Sequence, residues 1–259
     1  MPIDLNADVG EGAPYDDELL QIVSSANISC GAHAGDADTL ADAIQMALTQ
    51  GVRIGAHPSF PDREHWGRKQ MQLSFSSLRH HLLYQLHALN GLVLSYGGSI
   101  QHVKPHGALY NQSARDPQLA QNIVRIVQEF NPGVSIMGLA RGELVNAARA
   151  AGMQTEEEAF ADRRYAEDGS LLPRTDPRAV ISEVEEAIAQ SLLIVQEARV
   201  RTANGRLIAL QADTLCLHGD SPHALAFARQ LRKAFSAQTI DISSPALHNG
   251  RNCQDSAPS

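Results

Sequence analysis

The chain has no GxxxxGK[ST] phosphate loop, no HExxH and no GxSxG, and its GEGAPY at 10–15 lacks the third glycine of a GxGxxG turn. A Walker-type nucleotide site, a nicotinamide enzyme, a zincin protease and a common serine hydrolase each lose their recognisable residues. Lysine and arginine form no run and the formal net charge is −8, so a nucleic-acid backbone is a poor partner. No apolar run approaches the ~20 residues of a membrane span. The start, MPIDLNAD, lacks the basic-then-apolar pattern of a secretory leader. The three cysteines, Cys30, Cys216 and Cys253, form neither a disulfide framework nor a CxxC metal site. Two of them lie in apolar, strand-like runs, the ordinary place for a buried thiol. A reducing cytoplasm is the expected compartment. No Pro/Gly/Ser linker divides the 259 residues.

What is present is an alternation of strands and helices. Residues 35–51 place Leu40, Ala43, Ile44, Ala47 and Leu48 on one helical face, with Asp38 as the expected cap and Gly51 as the stop. Ser76 is expected to cap a second helix, and Asp116-Pro117, Asp176-Pro177 and Ser221-Pro222 to open three more, since proline just inside a helix start loses no needed N–H. Short apolar runs lie between them at 2–7, 26–30, 52–57, 101–105, 134–139, 154–160, 213–218 and 238–243. This order predicts βαβ units and a parallel sheet. An α/β barrel in one domain over 1–242 is the expected architecture, with a doubly wound sheet as the alternative and 243–259 as a mobile polar tail.

Nearly every one of these strands stops on titratable residues, which favours the barrel, because an open sheet concentrates its site at one switch point. Period-2 alternation puts Asp4, Asn6 and Asp8 on one side of the first strand, with Glu11 following between two glycines. Crowded carboxylates repel, which raises a pKa or demands a cation. His33 and Asp36 follow Cys30-Gly31, although Asp36 serves equally well as a helix cap. His57 and His106 each end a strand beside a proline. Lys104 faces the same side as His106 and needs an anion if it is buried. Glu158, Asp162 and Arg163 surround Phe160, and His218 and Asp220 close the series. Arg163 can bridge the carboxylates or clamp a substrate carboxylate. His80, His81 and His87 read as helix-surface residues, and His102 has no partner in a motif.

These residues stand in DLNADVGEG, SANISCGAHAGD, IGAHPSFPDREHWGR, VKPHGALYN, FADRRYAEDGSLLPR and CLHGDSPHAL, in that order over about residues 2–242. In this the chain resembles the LamB/YcsF family. The resemblance implies an irregular TIM-type barrel and ATP-dependent opening of the 5-oxoproline lactam to L-glutamate, together with two partner subunits. ATP with Mg would be a cosubstrate of the complex, and a homo-oligomer is compatible with it. It implies a catalytic set of Asp8, His57, Lys104, His106, Asp162 and His218. The ligand-contacting set is Asn6, Glu11, His33, Asp36, Glu158, Arg163 and Asp220. The barrel is also similar to carbohydrate deacetylases whose metal is held by an aspartate and two histidines; Asp8, His57 and His106 would be that trio. A metal-dependent amidohydrolase or deacetylase is therefore the alternative enzyme, and a non-catalytic 5-oxoproline-binding subunit the alternative of another class.

Overall fold

A computed structural model describes residues 2–217 and 224–245. The elements run β1 (Asp4–Val9), α1 (Asp16–Leu20), β2 (Ser25–Ser29), α2 (Ala37–Gln50), β3 (Arg53–His57), α3 (Phe75–Ser95), β4 (His102–Val103), α4 (Gly107–Ser113) and α5 (Pro117–Phe130). They continue with β5 (Ser135–Leu139), α6 (Glu143–Ala150), β6 (Thr155–Phe160), α7 (Val184–Glu197), β7 (Arg199–Arg201), β8 (Leu207–Ala209), β9 (Thr214–Leu217) and α8 (Ala224–Ala237). Seven strands close a parallel barrel in the order β1-β2-β3-β4-β5-β6-β9, and β7 and β8 form a separate antiparallel pair.

The expected eighth strand at 238–243 is not inserted. Thr214 of β9 pairs with Asp4 on one side and Glu158 on the other, so both edges of β9 are already filled. The 238–243 segment keeps a single bridge, Ile3 to Ile242, just below the barrel.

Strand alternation separates two chemistries. Outward residues such as Leu5, Ala7, Val9, Ile28, Ile54 and Leu215 are fully or almost fully buried against the helices. The helices answer with Ile44 and Ala47 of α2, Leu78, Leu82 and Leu86 of α3, and Ile123 and Val127 of α5. Each large aliphatic side chain buried in this layer contributes about 1.5–3 kcal/mol.

The inward side is polar and built in layers. At the bottom, Asp4 accepts hydrogen bonds from Ser24 (2.7 Å), Ser25 (2.8 Å) and Thr214 (2.5 Å). Across from it, Arg53 makes a two-armed ion pair with Glu156 at 2.8 and 2.6 Å. In the middle, Asn27 donates to Asn6 (2.7 Å) and Asp8 (2.9 Å), and His102 Nε2 donates to Asn27 Oδ1 at 2.7 Å. A Cβ on Gly55 would lie 2.0 Å from His102 Nε2, so only glycine admits this imidazole. His102 is thus a structural member of the barrel interior, contrary to its reading as a histidine without partners.

Several helix boundaries differ from expectation. Asp36 caps α2, its Oδ1 accepting from Thr39 N at 2.9 Å; Asp38 lies inside the first turn. Ser74, not Ser76, caps α3. Asp116 caps α5 as expected. Asp176-Pro177 opens a turn, and α7 begins only at Val184. The reason is tertiary: Ile181 N bonds Asp162 O at 2.8 Å and Val180 bridges Arg163, which ties 180–181 to the segment after β6 and delays the helix. The Ser221-Pro222 helix start lies outside the described residues, as does the tail beyond 245.

Candidate active site

A cavity of about 670 Å³ opens at the C-terminal end of the strands. Its floor is made by Asp8, His57, Lys104 and His106, with Glu11 on the loop after β1. His57 Nδ1 lies 2.8 Å from Lys104 O, and His106 Nε2 lies 2.9 Å from Trp66 O. A carbonyl can only accept, so both outer nitrogens carry the proton and both inner nitrogens present lone pairs. Those inner atoms, His57 Nε2 and His106 Nδ1, are 2.9 Å apart. Asp8 Oδ2 is 3.2 Å from the first and Glu11 Oε1 is 3.3 Å from the second. Four acceptor atoms therefore converge at the floor.

Local sequence explains the arrangement. Pro58 and Pro105 end extended segments beside His57 and His106. Trp66 and Gly67 both have positive φ, at 54° and 67°, which turns the Trp66 carbonyl onto His106. A Cβ on Gly67 would sit 2.8 Å from His106 Cδ2. His33 stacks on His106 with centroids 3.8 Å apart, and its Nε2 meets Glu11 Oε1 at 2.9 Å.

Charges follow burial and neighbours. Burial, with His57 and His33 alongside, pulls His106 down to about 3, and burial likewise lowers His33. Burial works to raise the Glu11 carboxyl, but His33, His106 and His57 hold it below its ordinary range. Burial opposes charge on Lys104, yet Asp8, Cys216 and Glu158 keep its pKa well above the usual lysine value. Its Nζ lies 2.9 Å from Asp8 Oδ1, 2.7 Å from Glu158 Oε1 and 3.3 Å from both Asn6 Oδ1 and Cys216 Sγ. Asp4 belongs to the layer below, where Ser24, Ser25 and Thr214 hold it.

The structure thus brings together Asp8, Glu11, His33, His57, Lys104, His106 and Glu158, with Asn6 directly beneath. It sets others apart. Asp36 is exposed, engaged as a helix cap and outside the cavity lining. Arg163 reaches the cavity, but its guanidinium does not bridge carboxylates: Nη2 donates to Leu172 O at 2.7 Å and Nε to Ala179 O at 3.2 Å. Asp162 is half-buried and stands outside the cavity lining. His218 and Asp220 lie outside the described residues. Sequence reasoning missed Asn27, Tyr110, Arg68, Arg115 and Arg174. Alternation in SANIS points Asn27 inward beside Asp8, a usable signal. Tyr110 lines the cavity wall, and burial and the Glu158 carboxylate push its pKa well up, so its hydroxyl keeps its proton.

Asp8 Oδ2, His57 Nε2 and His106 Nδ1 suit a divalent cation by atom type and convergence, and Glu11, His33 and His106 form an adjoining group. The fixed tautomers strengthen the fit, because the lone pairs already point inward.

The architecture is a closed parallel α/β barrel with a carboxylate–imidazole cluster in the cavity at the C-terminal end of its strands. Two solved structures share this fold. A family 4 carbohydrate esterase from Streptomyces lividans matches at TM-score 0.52 and 9% identity over 96% of this chain and 95% of its own. The catalytic domain of a peptidoglycan N-acetylglucosamine deacetylase from Eubacterium rectale matches at 0.51 and 12%, over 94% and 88%. A lactam utilization protein from Thermus thermophilus is far more similar: 38% identity, TM-score 0.88, covering 95% of this chain and 100% of that one. The LamB/YcsF family model matches residues 3–249, and the chain belongs to that family.

Proposed function

We propose that the protein is the lactam-opening subunit of a 5-oxoprolinase, acting with two partner subunits and ATP-Mg to convert 5-oxo-L-proline to L-glutamate. The observation that carries this reading is the convergence of Asp8, Glu11, His57 and His106 lone pairs at the floor of a cavity large enough for a small cyclic amide. Similarity to a lactam utilization protein supports the substrate class.

An amide is resonance-stabilised, and its hydrolysis needs a base for water, a donor for the developing oxyanion and an acid for the departing nitrogen. ATP would activate the lactam by phosphorylating its carbonyl oxygen, and the missing phosphate loop favours the partners as the site of nucleotide handling. Within this chain, Asp8 and His57 hold the water and take its proton. Lys104 pairs with Asp8 Oδ1, which leaves the second oxygen of Asp8 toward His57. His106, neutral at physiological pH, accepts a hydrogen bond at Nδ1. Tyr110 supplies a protonated hydroxyl at the cavity wall.

A metal-dependent amidohydrolase is the second reading, favoured by the same convergence. A divalent cation held by Asp8, His57 and His106 would supply an acidified water and polarise a carbonyl.

The test is turnover of 5-oxoproline by the purified chain with and without its two partners and ATP. Glutamate formed only in the complete mixture supports the proposal. Equal turnover by the chain alone, or none in the complete mixture, rejects it.

A further inference from the structure

Among His33, His57 and His106, which meet at the floor, His33 has no carbonyl behind it. His57 Nδ1 faces Lys104 O and His106 Nε2 faces Trp66 O. His33 Nδ1 is buried and has no hydrogen-bond partner among the described residues. Its other nitrogen meets Glu11 Oε1 at 2.9 Å, and its ring stacks on His106 with 8° between the planes. A ring fastened at one atom takes its place from the backbone that carries it, and here it passes that place on to Glu11.

That backbone is the 31–35 loop, whose end residues, Gly31 and Gly35, have φ of 77° and 75°. From inside, Ser29 Oγ donates to Ala34 O at 2.8 Å. From outside, Arg63 spans both ends: Nη1 donates to Gly31 O at 2.9 Å and Nη2 to Gly35 O at 2.8 Å. A planar guanidinium fork holds two carbonyls at once, which a compact ammonium on a flexible stem does not. Arg63 is exposed and stands outside the cavity lining.

The fork also joins neighbouring loops. Arg63 follows Asp62, which is buried and accepts from Lys69 N at 2.9 Å. The segment between them carries the Trp66 carbonyl that orients His106. Gly35 lies against the loop after β1, since a Cβ on it would be 2.3 Å from Gly10 O, one residue before Glu11. The loops after β1, β2 and β3 thus meet around one arginine, and they carry Glu11, His33 and Trp66.

We propose that Arg63 is a positioning residue: by fastening the 31–35 loop to the Trp66 segment, it keeps His33 stacked on His106 and bonded to Glu11. This rests on the reading above in that the floor is the working site.

The test is a double-mutant cycle in the complete complex with ATP, read beside the histidine-ring NMR signals of the full chain. Arg63→Gln should lower kcat by at least about tenfold and change KM for 5-oxoproline by less than about twofold, because misplacing a group at the reacting atoms costs rate. Arg63→Lys keeps the charge but not the fork and should stay impaired. Arg63→Gln/His33→Asn should be no slower than His33→Asn, since both changes remove the same contact. In the NMR spectra Arg63→Gln should move the His33 ring signals and leave those of His102, in the middle layer of the barrel, in place, which also reports an intact fold. Full rescue by Arg63→Lys, additive losses in the cycle, or wild-type kcat in Arg63→Gln or His33→Asn overturns the proposal. Unmoved His33 signals overturn it whatever the complex does. A complete wild-type mixture that makes no glutamate rejects the lactam reading, and the NMR comparison then decides the role of Arg63 by itself.

Discussion

His57 and His106 face each other through unprotonated nitrogens 2.9 Å apart, each held in that tautomer by a backbone carbonyl behind it. Two lone pairs at this distance, with Asp8 and Glu11 beside them, repel unless a proton or a cation lies between. Metal-stripped protein titrated with Zn²⁺ is expected to bind one equivalent, with His57→Asn and His106→Asn each weakening it by at least about tenfold. Unchanged zinc affinity in both variants would show that the cation sits elsewhere, and no binding by the wild type would leave a shared proton as the occupant.

The carbonyl behind His106 depends on a strained turn. Gly67 has φ 67° and no room for a Cβ beside His106. Gly67→Ala is expected to cost about 1–3 kcal/mol of stability, from the positive φ and the displaced ring. Its larger effect should be on kcat in the complete complex, since His106 loses its orientation. A variant with lowered melting temperature and wild-type kcat would disconnect this turn from the site.

Much of this architecture is legible in the sequence because one physical rule is so regular. Period-2 alternation put Asn6 and Asp8 on one side of β1, and the same rule put Lys104 and His106 together. That rule also held for Asn27 and His102, which went unread because Asn27 carries no titratable group and His102 precedes the strand end on which Lys104 and His106 stand. Other features depend on contacts remote in sequence. The segment at 238–243 has strand-like composition, but β9 already fills the gap it would occupy. Asp176-Pro177 is a sound helix start locally, and yet the Asp162 and Arg163 backbones capture the residues that follow. Arg68, Arg115 and Arg174 reach the cavity from segments remote in sequence, which no local pattern announces. Asp36 illustrates a limit of residue type alone, since a carboxylate before a helix serves as cap or ligand with the same neighbours.

Asp4 makes stability depend on pH. Burial pushes its pKa up to about 6 from 3.8, despite hydrogen bonds from Thr214, Ser24 and Ser25. A carboxyl raised in the folded state favours folding when protonated, so the contribution of Asp4 to stability falls as pH rises from about 4 to about 6 and then levels. The shift corresponds to roughly 3 kcal/mol. Asp16 is also raised to about 6 by burial and acts in the same direction, whereas the lowered His106 and His33 favour folding as pH rises through the same window. The readout is therefore the change on substitution: Asp4→Asn should gain stability on going from pH 4.5 to pH 7.5 relative to the wild type. Urea unfolding at pH 4.5 and 7.5 measures this. An Asp4→Asn protein with the full wild-type difference between those pH values would place the titration elsewhere.

Lys104 stands between two carboxylates, at 2.9 Å from Asp8 and 2.7 Å from a completely buried Glu158. Its raised pKa means that its stabilising charge is fully present below the ordinary lysine range and is lost only as pH rises through the raised value, so neutral solutions do not titrate it. Lys104→Met keeps the aliphatic stem and deletes the cation. Two effects should follow and they can be separated. Removing the ammonium leaves Glu158 buried and without its cation, a cost of about 3–5 kcal/mol. Removing it also frees Asp8 from the geometry that aims its second oxygen at His57. This should lower kcat/KM in the complete complex by at least about 100-fold, or about 2.7 kcal/mol of transition-state stabilisation. Lys104→Met/Glu158→Gln removes the buried uncompensated charge without restoring the contact to Asp8. The double variant is therefore expected to recover most of the stability and little of the activity. If it recovers both, Lys104 acts only by neutralising Glu158, and Asp8 needs no lysine to work. If it recovers neither, the ion pair with Glu158 is not what made the single variant unstable, and the contact with Asp8 carries both effects.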